Sequence, residues 1–194
     1  MSAMAQSRTI ESRFAMAGSV TLAAYSAEPP GLRSCGDFAG YGPGMVDQST
    51  RFPDLSARPH ELCVERVMNA PASLVYAALT RGFDIWLAAP DSVRMRAEVG
   101  EPFYFETEYE GKRNPHYGRF LRLVPDREIE FTWVTAATDG TETVVHVELR
   151  KQPRGIRVRL RHSGFAGEAV RDLHQQVWPK MLEQLEERIS AAVG

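Results

Sequence analysis

Cysteine is nearly missing from this chain, which has only Cys35 and Cys63. They stand in neither a CxxC nor a metal-ligand spacing, which argues for a reducing, cytoplasmic compartment and against a zinc site. Long apolar runs are missing too: no stretch of about eighteen apolar residues occurs, so nothing reads as a membrane-spanning helix. An excess of one sign of charge is also missing. Net charge is −2 with both signs mixed along the chain, whereas a dedicated nucleic-acid binder carries a clustered basic face. There is no Ser-His-Asp order, paired-carboxylate motif, P-loop or HExxH. The sequence therefore predicts no catalytic motif, no metal ligand set and no cofactor.

What is present falls into two parts. Residues 1–60 crowd Gly and Pro together, as in Pro29-Pro30-Gly31 and Gly40-Tyr41-Gly42-Pro43-Gly44, and keep no period. They read as a mostly disordered extension with a short helix over 10–25. Residues 14–25 are small and apolar and follow Arg8 and Arg13, the pattern of a weak signal or transit segment. A rival reading starts translation at Met45. Residues 61–194 read as one domain, large enough to bury a core without staples.

Within that domain, alternation marks the strands. Residues 61–68 (ELCVERVM) put Leu62, Val64 and Val67 on the apolar side. Pro71 then opens a short helix over 72–80 that Gly82 ends. Residues 83–87 form a second short helix or turn. Strands follow over 92–99, 102–110, 117–124, 128–135 and 141–151. Phe103, Phe105 and Tyr109 share one face, Tyr117, Arg119 and Leu121 another, and Phe131 and Trp133 a third. Asp139-Gly140 marks a hairpin. In the last strand Ile156, Val158, Leu160 and His162 face one way, and Arg157, Arg159 and Arg161 the other.

The chain ends on a long amphipathic helix. Val170, Leu173, Val177, Trp178, Met181, Leu182, Leu185 and Ile189 recur at three- and four-residue steps. Pro179 inside it predicts a kink near residues 175–178. So wide an apolar stripe needs a sheet to lie on. The expected fold is α+β: a curved antiparallel sheet of about six to seven strands wrapped round a long C-terminal helix, with two short helices after strand one.

That order resembles the SRPBCC superfamily, the helix-grip fold of START lipid-transfer domains and the birch-pollen-allergen class. Within it, the chain is similar to the branch named after the activator of the heat-shock-chaperone ATPase. The likeness is carried by VMNAPASLVYAAL over 67–79 and by Phe83-Asp84-Ile85-Trp86. It continues in Tyr117-Gly118-Arg119-Phe120 with Pro125 and Glu130-Phe131-Thr132-Trp133, and in His162-Ser163-Gly164-Phe165 with Trp178, Leu182 and Leu185. The chain departs from the family at Val177, where a Gly often precedes the helix Trp.

The resemblance implies a pocket between sheet and helix. Its expected lining is Trp86, Phe103, Phe105, Tyr109, Tyr117, Arg119, Phe131, Trp133, Leu160, His162, Trp178 and Met181. Rigid aromatic walls with few polar groups suit a small apolar or amphipathic ligand, provided the interior leaves more room than one water. The same residues also read as an ordinary aromatic core. An inward Arg119 needs a carboxylate, from the protein or from a ligand. His116, His146, His162 and His174 are candidate acid–base groups, with His146 expected on the wet face. Three readings stay open. One is a ligand-binding domain without chemistry. A second, implied by the resemblance, is a protein-interaction module like the chaperone-ATPase activator, using the arginine stripe or the outer face of the sheet. The third is a cyclase- or dehydratase-type enzyme using Arg119, His162 or Tyr117.

Overall fold

The computed structural model describes residues 52–191. Strand β1 (His60–Met68) is followed by helices α1 (Ala72–Thr80) and α2 (Phe83–Trp86). Then come β2 (Pro102–Tyr109), β3 (Lys112–Val124), β4 (Glu128–Thr135), a 3₁₀ turn at Ala136–Thr138, β5 (Thr143–Lys151), β6 (Ile156–Phe165) and helix α3 (Glu168–Ala191). The six strands form one antiparallel sheet in the order β1-β6-β5-β4-β3-β2. Every connection but the crossover from β1 is a hairpin between neighbours, and β1 and β2 are the two edges of the open sheet. The fold is the expected helix grip.

Helix α3 lies on the inner face and runs unbroken through Pro179. It buries His174, Trp178, Met181, Leu182, Leu185 and Ile189, the stripe that its spacing dictates. Strand β6 keeps its alternation: Ile156, Val158, Leu160 and His162 are buried. Its arginines face outward among acidic neighbours. Arg159 lies 3.3 Å from Glu65, and His146 bonds Glu128 at 2.8 Å. His146 is thus buried beneath longer side chains rather than solvated as expected.

Three strand readings need correction. Residues 92–99 are not a strand; their backbone pairs with the sheet at the isolated bridges Arg94–Tyr104 and Val99–Phe120, and the Ser92 hydroxyl bonds the Glu106 backbone of β2. In β1, Met68 is buried and Val67 is exposed, since strict alternation carries Leu62 and Val64 on to Met68. In β3 the register with β4 shifts between Phe120 and Arg122, the mark of a bulge. Before the bulge, His116, Gly118 and Phe120 take the inner face and Tyr117 and Arg119 the outer one. After it, Leu123 packs on the core. A one-residue slip reverses every side chain, so the bulge explains the misread half. Gly118 is required at its position: a Cβ there would collide with the Thr132 carbonyl and with the Phe103 ring, which lies over it.

Residues 52–59 pack on the sheet as an arm. The Arg58 guanidinium donates to the carbonyls of Glu142 and Gly164. Leu55 fills the space that Gly164 leaves, within 2.7 Å of where a Cβ would stand. On β1, Cys63 is disulfide-bonded, with its partner outside the described residues. Among the described residues no helix is long and apolar enough to cross a membrane. The helix expected over 10–25 and the targeting segment over 14–25 lie outside the described residues.

Candidate ligand site beneath the long helix

One half of the interior is dry. Phe103 and Phe105 alternate inward on β2, Phe120 on β3 and Phe131 on β4, and Phe83 descends on them from α2. Phe83 stacks on Phe105 at 4.9 Å, and Phe103 meets the Phe131 edge at 5.9 Å. These rings fill the volume in which a cavity is expected. Trp86 closes that end: its indole N–H donates to the Ala78 carbonyl at 3.0 Å, and Gln184 of α3 donates to its own carbonyl. Helix α2 is thereby tied to both α1 and α3.

The other half is polar. His162 of β6 is fully buried. Its Nδ1 accepts from the Trp178 indole N–H at 3.1 Å, so the ring hydrogen sits on Nε2 and points at the Thr143 Oγ1, 2.7 Å away. The Thr143 hydroxyl donates to the Trp133 carbonyl at 2.7 Å. Burial, and then the neighbouring His174, hold the His162 pKa well below the usual histidine range. With both nitrogens engaged and the ring neutral, His162 fixes the position of Trp178 and leaves no nitrogen open for proton transfer.

Where the two halves meet, a recess opens to the surface. His116, Trp133 and Thr135 form its sheet wall, and His174, Val177, Trp178 and Met181 its helix wall, with Leu87 and Ala137 at the rim. The enclosed part of the recess is water-sized, so the interior does not leave the room for more than one water that an internal ligand was expected to need; only together with its open mouth does the space reach about 350 Å³. The Trp133 and Trp178 rings stand 6.0 Å apart. The His116 ring stacks on Phe105 at 4.7 Å and meets Trp133 edge-on at 5.0 Å. Its Nδ1 donates to the Asn114 carbonyl at 3.0 Å, and His174 Nδ1 donates to the Val170 carbonyl at 2.8 Å. Burial lowers both pKa values to about 4, so each ring is neutral at pH 7 with its hydrogen on Nδ1.

Nine of the twelve residues expected in the pocket are buried: Trp86, Phe103, Phe105, Phe131, Trp133, Leu160, His162, Trp178 and Met181. Of these, Trp133, Trp178 and Met181 reach the recess. Tyr109 is half-buried at the end of β2. Tyr117 is 50% exposed and packs on Tyr104 on the outer face at 5.2 Å. Arg119 bonds Glu142 at 2.7 Å, so its carboxylate comes from the protein. The residue pattern marks His116 and His174 only as acid–base candidates, not as part of the lining. Two signals place them here: His174 falls on the Trp178–Met181 stripe, and His116 is the cross-strand partner of Phe105. Among the described residues no three His, Cys, Asp or Glu side chains converge as metal ligands.

Solved structures share this architecture. Protein MLL2253 from Mesorhizobium loti superposes with a TM-score of 0.57 at 22% identity, covering 68% of this chain and 98% of its own. Protein CV1439 from Chromobacterium violaceum gives 0.59 at 23%, with 68% and 98% covered. Protein NE0264 from Nitrosomonas europaea gives 0.55 at 21%, with 73% and 99% covered. At such identities the likeness is one of fold. No curated protein matches the chain significantly. The model of the family described as activator of Hsp90 ATPase homolog 1-like protein matches residues 69–190, which is most of the domain, and the chain belongs to that family, on the SRPBCC helix-grip fold.

Proposed function

We propose that this domain binds one small apolar or amphipathic molecule at the recess beneath Trp178 and along its mouth. The observation that carries the reading is the recess itself. It is an opening between aromatic walls, at the seam of sheet and helix, that brings buried polar rings within reach of the surface. The rest of the expected cavity is filled by phenylalanine, so a ligand does not sink into the dry half. It widens the mouth, where Leu87, Val177 and the flexible Met181 move most cheaply. Val177 stands where the family often has Gly, and its side chain narrows the recess.

The enzyme reading has less support. Arg119 is committed to Glu142, Tyr117 faces outward, and both His162 nitrogens are engaged. The protein-interaction reading leans on the arginine stripe, of which Arg159 is drawn to Glu65.

Thermal melting of the full chain against fatty acids, isoprenoids and aromatic polyketides tests the proposal. A ligand at 100 times its Kd adds about 2.7 kcal/mol and raises Tm by several degrees. At least one class should do so, and Met181→Trp, which plugs the mouth, should abolish the shift. A panel that leaves the melt unmoved counts against ligand binding.

A further inference from the structure

The chemistry of the recess narrows the ligand class. Among the described residues no Lys, Arg, Asp or Glu lines it. A carboxylate placed there would lose its hydration without meeting a cation, a heavy loss of affinity. His116 supplies the complementary group. Its Nδ1–H is used on the Asn114 carbonyl, so in the neutral ring Nε2 is an acceptor. Phe105 beneath the ring and Trp133 at its edge fix the direction of that lone pair. In His174 the hydrogen likewise sits on Nδ1, so its other nitrogen is no donor. The surrounding walls, Trp133 and Trp178, are flat and apolar.

We propose that His116 Nε2 accepts a hydrogen bond from the single hydroxyl of a neutral, flat, apolar ligand, a phenol or an aromatic alcohol. The hydroxyl sits in the water-sized recess, and the body lies in the mouth against Leu87, Val177 and Met181. This assignment rests on the ligand-binding reading above and adds to it the head group and the residue that selects it.

Calorimetric titration of the full chain at pH 7.5 with three probes of one shape tests the assignment. They are 4-propylphenol, its methyl ether 4-propylanisole, and 4-propylbenzoate. The phenol should bind about five- to tenfold more tightly than the ether, the worth of one neutral hydrogen bond, and the benzoate more weakly than either. His116→Phe should bring the phenol down to the ether and leave the ether unchanged. Equal affinities for phenol and ether, or a preference for benzoate, would overturn the acceptor role while ligand binding stood. A phenol advantage that survives H116F would place the acceptor elsewhere and overturn it too. Failure of all three probes would overturn the proposal, and the wider thermal panel would then decide whether ligand binding falls with it. Should H116F not fold, the phenol-to-ether ratio of the wild-type chain still supports or overturns the acceptor role by itself.

Discussion

The two halves of the interior are buried alike and held in different ways. Toward β2 to β4, Phe83, Phe103, Phe105, Phe120 and Phe131 touch ring to ring with no polar atom among them. Toward β5 and β6, Thr143, His162 and Trp178 form a directed chain of hydrogen bonds that requires one tautomer. The dry half depends on shape alone and is indifferent to pH. The polar half depends on histidines staying uncharged. A ligand site can exist only where these two orders meet, because the dry side supplies flat walls and the polar side supplies direction.

Acid should break the comparison most strongly. The folded-state pKa values of His116 and His174 are lowered to about 4 by burial, against about 6.5 in the unfolded chain. Between those values the unfolded chain binds protons that the folded one refuses. Their contribution is therefore complete above pH 6.5 and is lost progressively as pH falls to about 4. A shift of that size is worth about 3 kcal/mol per ring, a large share of a stability of about 5–15 kcal/mol. His162 acts in the same direction. Glu130, whose pKa is raised by burial, acts against them. Urea midpoints should fall steeply from pH 7 to 4.5, and a flat profile would mean that the rings are not held neutral by burial.

Removing a ring from the dry half should cost nearly as much, without the pH dependence. Phe131→Ala leaves a cavity between Phe103 and Trp133 and should lose about 3–5 kcal/mol. The loss, read from urea midpoints, should be the same at pH 7 and pH 5.5. A loss that grows with acid would show that the halves are coupled.

Thr143→Val is a smaller and sharper cut. It is nearly isosteric, yet it strands the His162 Nε2–H and the Trp133 carbonyl. One or two buried groups left unpaired cost about 1–3 kcal/mol. The ring nitrogen shifts of His162 by NMR should report the loss: in the native chain its Nε2 is protonated, and in the variant that preference should weaken. An unchanged stability would mean that the hydroxyl is not part of the chain of bonds.

Much of this architecture is legible in residue order, and the exceptions have local causes. The alternation in β6 and the stripe of α3 determine which side chains are buried, because burial on one face leaves only one register. Tyr117 and Arg119 defeat the reading because a bulge adds a residue that no period reveals. His146 defeats it because exposure on an outer face depends on the length of the neighbouring side chains. The fate of the cavity is illegible for a further reason. Whether aromatic rings enclose space or fill it depends on how they interlock across strands, and spacing carries no such information.

The smallest effect is expected outside the domain. A chain beginning at Glu61 should lose the Leu55 contact on Gly164 and the two Arg58 hydrogen bonds, about 1–2 kcal/mol. A chain beginning at Met45 keeps residues 52–59 and should lose less. Residues 1–44 bring no apolar stripe comparable to those of 61–194, and their Gly and Pro raise the entropy lost on ordering. The comparison has to be made in reducing buffer, because Cys63 is disulfide-bonded and residues 1–44 hold the chain's other cysteine, Cys35. There, the Met45 chain should melt within a few degrees of the full chain, since about 1 kcal/mol moves Tm by roughly 2–8 °C in domains of this size. A large gap that persists in reductant would show that residues 1–44 pack on the domain in their own right.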